Sequence, residues 1–270
     1  MINGEEYTQF RDSMILPSTT GFFISEPRGF RSAGTGTFVR IGKVNGILTC
    51  AHALDEMARH KTINLAIFPV RERERFIQID VKEHCDDIKF GPKKTPDGLY
   101  DPNGPDLAFL KLPIPFFNRI SHLVSVKSME IGRDHAFAEA EPSEESITVV
   151  TGMIAEWMPE VDPTTPFPVS GLMSVGKIAD RIKNGEHDLF HFRPVPDDGF
   201  NTPSSYKGTS GGGLWRIYPQ PDDGGEIVYR LIGVAFQETN DRHRHIICHG
   251  QASLYVRLFD AIREKWPEAR

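Results

Sequence analysis

The sequence predicts an all-β fold, a sandwich or a barrel, on three observations. Short apolar runs rich in β-branched and aromatic residues recur at close spacing along the 270 residues. Glycine (24 residues) and proline (20) are spread between these runs as turn signals. The regular alternation of strand and helix that marks a parallel α/β sheet is missing.

In chain order, the strand candidates of the first half are residues 21–24, 37–41, 63–68 and 107–112. The second half adds residues 147–150, 190–192, 227–232 and 253–258. Two stretches read as helices. One is short, over residues 53–60; the other closes the chain over residues 259–266, where Leu258, Ile262 and Trp266 recur at helical spacing. Residues 113–142 carry few strand signals and are expected to link two halves. The chain has no internal repeat, heptad pattern or low-complexity tract.

Composition narrows the class. Apolar residues are 39% of the chain and charged residues 25%, the balance of a soluble globular protein. Apolar runs are too short to cross a bilayer. The first residues, MINGEEYTQFRD, are polar and acidic, so a secretory signal is not expected. Cys50, Cys85 and Cys248 are an odd number, without metal-type or redox-type spacing, which points to a reducing compartment and a cytoplasmic location. A formal charge of −6 gives no bulk attraction to nucleic acid or anionic membrane. The run Arg71-Glu72-Arg73-Glu74-Arg75 alternates in sign and reads as a solvated face.

Three segments carry chemistry. The first is Gly34-Thr35-Gly36-Thr37-Phe38-Val39 followed by Gly46-Ile47-Leu48-Thr49-Cys50-Ala51-His52, two strands ending in small residues and a histidine. Alone, a histidine at a strand end is more often structural than catalytic. The second is Gly104-Pro105-Asp106 opening the apolar run Leu107-Ala108-Phe109-Leu110-Lys111-Leu112, where the aspartate by itself could be a turn former. Asp101 is its closest rival but lacks the following strand. The third is Lys207-Gly208-Thr209-Ser210-Gly211-Gly212-Gly213-Leu214-Trp215. Its glycines permit a tight turn with converging backbone N–H groups, the requirement of an oxyanion hole, though a Gly-rich hairpin with an incidental serine has the same composition.

Together these segments resemble the trypsin/chymotrypsin-like serine protease family, in its intracellular bacterial form. Thr49-Cys50-Ala51-His52 is similar to the family's Thr-Ala-Ala-His, with Cys50 in place of one small residue. Asp106-Leu107-Ala108-Phe109-Leu110-Lys111-Leu112 is similar to the segment that supplies its carboxylate. The loop around Ser210 is similar to Gly-Asp-Ser-Gly-Gly-Pro-Leu. The resemblance implies two antiparallel six-stranded β-barrels, over residues 15–125 and 126–257, after an N-terminal segment 1–14 and before a C-terminal helix 258–270. It implies a triad of His52, Asp106 and Ser210, and an oxyanion hole made by the N–H groups of Gly208 and Ser210. It also implies a pocket with Ser204 at its floor and Ala235, Phe236 and Gln237 along its wall. The activity implied is serine endopeptidase cleavage of protein or peptide substrates through an acyl-enzyme, with no cofactor and no metal.

The family's aspartate before the serine is Thr209 here, so activation by a salt bridge to a newly cut N-terminus is not expected. A partner or substrate that organises the hole is one route left open. Ser204 in place of an acidic floor argues for a neutral pocket. Asp241-Arg242-His243-Arg244-His245 with Cys248-His249 offers imidazole and thiolate groups that suit zinc, but the spacing fits no standard site, and alternation on a solvated hairpin is the simpler account. Basic residues there would favour an acidic substrate side chain if they stood near the pocket.

Two other readings remain. An α/β-hydrolase esterase would satisfy G-x-S-x-G at Gly208–Gly212, using Asp222, Asp223 or Asp241 with His243, His245 or His249. It needs a helix after Ser210, where glycines stand, and the opposite chain order of its triad. A trypsin-like fold kept as a latent binding or sensor module needs no turnover at all.

Overall fold

The computed structural model describes residues 11–27, 29–67, 76–91, 104–123, 126–132, 146–157, 171–195, 203–218, 227–239 and 244–270. Strands β1 (Thr19–Glu26), β2 (Gly29–Ile41), β3 (Val44–Thr49), β4 (Ile63–Ile67), β5 (Phe76–Ile79), β6 (Asp86–Phe90), β7 (Leu107–Lys111) and β8 (Met129–Glu130) form one eight-stranded sheet. Its order is β5-β4-β1-β2-β3-β7-β6, and β8 pairs with β2 in parallel. Strands β9 (Ile147–Met153), β10 (Gly171–Asn184), β11 (His187–Pro194), β12 (Gly213–Tyr218), β13 (Val228–Glu238) and β14 (Ile246–His249) close a barrel in the order β10-β11-β14-β13-β12-β9. All six barrel pairings are antiparallel.

With a C-terminal helix added, this is the all-β, chymotrypsin-like class. The second barrel has the six strands that the sequence resemblance implies. The first sheet has eight rather than six, and its strands at residues 76–79, 86–90 and 129–130 lie outside the runs read as strands from the sequence. An α/β-hydrolase is ruled out: the sheets are antiparallel apart from the short β2–β8 pair, and the glycines after Ser210 run into β12 rather than into a helix.

Among the described residues, four α-helices accompany the sheets: α1 (Ala51–Met57), α2 (Val81–His84), α3 (Ile114–Leu123) and α4 (Phe259–Lys265). Helix α3 lies in the stretch expected to be only a link. Pro113 and Pro115 bracket its start, and proline is tolerated in a first helical turn because the missing N–H has no helical partner there. Residues 253–258, expected as a strand from their aromatic and β-branched content, are instead a π-helical run, Ala252–Leu258, that continues into α4. The burial pattern explains the correction. Leu254, Tyr255, Leu258, Phe259 and Ile262 are buried while Val256 is exposed, a helical rather than a two-residue period. The Asp188 carboxylate caps the start of this run, accepting from the N–H groups of Ala252 and Ser253.

One apolar cluster joins the two halves. Val39, Leu107 and Phe109 of the first sheet meet Val149, Trp215 and Leu231 of the barrel, and Leu254, Leu258, Ile262 and Trp266 of the terminal helix seal it. Trp215 is fully buried, and its indole N–H donates to Thr151 Oγ1 at 3.1 Å. Truncating such a side chain to alanine costs about 3–5 kcal/mol. Gly46 lets the ring of Phe109 cross β3, since a Cβ there would lie 2.2 Å from that ring. The two sheets thereby share one core, and the Cys50 thiol, just past β3, donates to Ala235 O of β13 at their junction. No helix among the described residues is long and apolar enough to cross a membrane.

Candidate active site

His52 and Asp106 come together at the ends of β3 and β7. Strand β3 stops at Thr49, Cys50 is extended at the N-cap position, and His52 stands in the first turn of α1. Strands β3 and β7 pair antiparallel, Thr49 opposite Ala108, which brings Asp106 alongside that turn. The Asp106 carboxylate accepts twice from His52, from its backbone N–H at 3.0 Å and from Nδ1–H at 2.5 Å. One oxygen thus caps the helix while the other fixes the imidazole tautomer. The His52 side chain is 50% exposed and that of Asp106 only 11%, so the ring faces solvent on a shielded acid.

Ser210 lies on the tight loop between Tyr206 and β12. Threonines of the first sheet tie this loop down. Thr35 N–H donates to Ser210 O at 2.8 Å, and Thr35 Oγ1 donates to Gly208 O at 2.6 Å while accepting from Met153 N–H at 2.8 Å. Thr37 Oγ1 donates to Gly211 O. From the barrel side, Gly211 N–H donates to Ala235 O, and Ala235 N–H donates to Gly212 O. Gly211 has φ +94, and a Cβ on it would lie 1.9 Å from Thr35 O, so only glycine fits. These clamps are the part of the site that motif reading does not supply: Thr35 and Thr37 stand inside the Gly34–Thr37 segment, but the partners of their side chains are 118 to 174 residues away.

Ser210 and the His52 helix meet across Gly34. A Cβ on Gly34 would lie 3.1 Å from Ser210 O and 3.2 Å from Ala53 Cβ. The Ser210 hydroxyl donates to Phe236 O at 3.2 Å. Lys207 C=O accepts from Ala155 N–H, and Thr209 C=O accepts from Gly212 N–H. Because peptide units are planar and trans, the N–H groups of Gly208 and Ser210 point away from those contacts. Neither is given to an acceptor among the described residues. Thr209 is buried, and its hydroxyl donates to Tyr206 O at 2.7 Å, a local anchor where the family resemblance would place a carboxylate.

The expected pocket residues separate into two groups. Gln237 and Ser204 face solvent, whereas the side chains of Ala235 and Phe236 are buried. Phe236 packs with Cys50, Ala53, Leu189 and Ile247 beneath the His52 helix. Ser204 is not a bare neutral floor. Its N–H and hydroxyl both donate to the Glu156 carboxylate, which these hydrogen bonds hold below the usual carboxylate range. Glu238 accepts from Ser205 Oγ and Tyr206 N–H at 2.9 Å. A separate cleft of about 990 Å³ opens between the β10–β11 hairpin and the terminal helix, bordered by Phe90, Arg181, His187 and Arg257; it contains none of His52, Asp106 or Ser210.

Of the histidine and cysteine cluster near the C-terminus, Arg244 is exposed and His245 half-buried just before β14. His243 and Asp241 lie outside the described residues, as do Asp101, Asp222, Asp223 and the Arg71–Arg75 run. Cys248 and His249 are fully buried on β14, and their side chains diverge: Cys248 packs with Phe190 and Phe192, while His249 stacks on Phe236. Cys50 Sγ, a ring nitrogen of His52 and an Asp106 oxygen lie within 4.8 Å of one another. Burial beside Asp106 pushes the Cys50 thiol well up, and it donates to Ala235 O at 3.1 Å. With His52 and Asp106 already joined by a hydrogen bond, these three atoms form a packed junction rather than an open ligand set.

No protein-family model and no curated protein matches the chain. Among solved structures, the chain is similar to the scabies mite inactivated protease paralogue S-D1, with 13% identity, a TM-score of 0.49 and 92% of each chain covered. It is similar to the protein named GrC at 16% identity and a TM-score of 0.49, covering 92% of this chain and 95% of that one. It is also similar to the protease of tobacco vein mottling virus at 10% identity and a TM-score of 0.44, covering 90% of this chain and 82% of that one. Likenesses this distant carry no function, and the fold rests on the sheets described above.

Proposed function

We propose that the chain is a serine endopeptidase acting through His52, Asp106 and Ser210. The observation that carries the reading is the double acceptance by Asp106 of both His52 donors, with Ser210 held beside the same helix across Gly34. In the reaction, the Ser210 hydroxyl turns from Phe236 O toward His52. It gives its proton to the imidazole as Oγ bonds to the substrate carbonyl carbon. Asp106 stabilises the imidazolium, and the N–H groups of Gly208 and Ser210 donate to the oxyanion. His52 then passes the proton to the leaving amine, and a water molecule activated by the same ring releases the acyl group. Ser204, Gln237 and the backbone of residues 235–237 form the substrate edge, and the substrate is a protein or peptide in the cytoplasm.

A second reading, a latent module that a partner must activate, is favoured by one contact: the free-state hydroxyl of Ser210 is given to Phe236 O rather than to His52. Reaction with a fluorophosphonate separates the two. Labelling that is lost in Ser210→Ala supports the endopeptidase. A folded protein that stays unlabelled contradicts it and favours the latent module.

A further inference from the structure

His249 belongs to the histidine-rich segment that the triad does not account for, and its environment is unusual. It is fully buried, 0% exposed, on β14, opposite Leu189 of β11 and Val234 of β13. Phe236 stacks on its ring, with centroids 4.5 Å apart and planes at 24°. The backbone of β14 comes close to β13 at this residue, since a Cβ on Gly233 would lie 2.4 Å from His249 O. The ring is therefore held on several sides, and its Nε2 accepts the backbone N–H of Asp106 at 3.0 Å.

We propose that His249 is a positioning residue for the triad acid, which rests on the endopeptidase reading for its catalytic consequence. Asp106 is carried by the first sheet, ahead of β7, whereas Ser210 is carried by the loop into the barrel. The carboxylate fixes His52 to Asp106, but something must fix Asp106 to the barrel. The Nε2 contact does so directly, from a strand 143 residues further along. Because a backbone N–H can only donate, Nε2 must be the unprotonated nitrogen, and the neutral ring carries its proton on Nδ1. Burial holds the ring neutral, and His187, whose ring centroid is 6.0 Å away, disfavours its charge further. A charged ring would lose the acceptor and with it the anchor.

Two variants separate positioning from packing. His249→Gln places an amide oxygen near the Nε2 position and keeps an acceptor; His249→Met fills similar volume without one. The first readout is the far-downfield proton resonance of His52 Nδ1–H, which reports the His52–Asp106 bond and needs no turnover. The second is the rate of fluorophosphonate labelling. The expected result is a resonance kept in His249→Gln and shifted or lost in folded His249→Met, with labelling in the latter about 100-fold slower. An unmoved resonance in His249→Met, or the same behaviour in both variants, would overturn the proposal. If His249→Met does not fold, nitrogen-15 shifts of the unaltered protein decide: a protonated Nδ1 and a bare Nε2 support the anchor, and the opposite tautomer refutes it. A wild type that shows the resonance but never labels speaks against the endopeptidase reading and leaves the anchor standing.

Discussion

Replacing Thr35 by valine should loosen the loop that holds Ser210 without altering any of the three residues proposed as the triad. The Thr35 side chain is fully buried, and its hydroxyl serves two partners from different elements: it donates to Gly208 O at 2.6 Å and accepts from Met153 N–H at 2.8 Å. Valine keeps the shape and deletes both bonds, leaving the half-buried Gly208 carbonyl and the buried Met153 N–H without these partners. Each orphaned group costs about 1–3 kcal/mol, so the variant should lose about 2–6 kcal/mol of stability. Serine keeps the hydroxyl and loses one methyl, a cost of about 1 kcal/mol. Complete removal of an oxyanion donor slows catalysis by about 100-fold to 1000-fold, so a donor that is retained but less firmly held should lose about tenfold. Denaturant melts and fluorophosphonate labelling rates of the wild type, Thr35→Val and Thr35→Ser check both figures. If Thr35→Val melts and labels like the wild type, the clamp has no energetic role and the reasoning fails.

Further outcomes follow from the same structure. Burial lowers the pKa of His249 to about 3 in the folded protein, whereas the unfolded chain protonates it near 6.5; as pH falls between these values the unfolded state binds the extra proton, so stability is lost at about 1.4 kcal/mol per pH unit. Melts from pH 7 to pH 4.5 should therefore show a shallower loss in His249→Gln than in the wild type, and equal slopes would contradict the buried neutral ring. Gly211→Ala should fail to yield a cooperatively folded protein, because its Cβ would lie 1.9 Å from Thr35 O; a normal melt would show that the loop has another conformation. At pH 8 the buried thiols of Cys50 and Cys248 should resist iodoacetamide, and Cys85, pushed up to about 12 by burial, should react slowly. Unfolding should expose all three to alkylation, read by mass spectrometry; fast native labelling of Cys50 would contradict its packing behind His52.

Much of the fold was legible in the sequence, because short alternating runs and turn residues act locally. Residues 21–24, 37–41, 107–112 and 147–150 all fall in or at the ends of strands. The terminal helix was legible only from Leu258 onward. The preceding turns contain Tyr255 and Val256, residues with strand preference, and the packing of Leu254, Tyr255 and Leu258 against the two-sheet core selects the helical spacing. Helix α3 was hidden by its flanking prolines, which look like breakers until they are placed in the first turn. At the site, His52, Asp106 and Ser210 each stand in a contiguous motif, so a short string suffices to single them out. Thr35 and His249 also stand in segments that the sequence singles out, whereas Glu156 stands in none, but the roles of all three depend on partners that only the fold brings near. The paired Ser204 and Glu156 illustrate the limit: a serine at the expected pocket floor suggests neutrality, but the neighbouring turn supplies a carboxylate that no spacing rule connects to it.

The central claim is that His52, Asp106 and Ser210 form one working unit. Labelling by a fluorophosphonate probe, compared among the wild type, Ser210→Ala and His52→Ala at matched fold by circular dichroism, tests it most directly. The account predicts a covalent adduct on Ser210 in the wild type and none in either variant. An adduct that survives Ser210→Ala, or a folded wild type that never reacts, would contradict it.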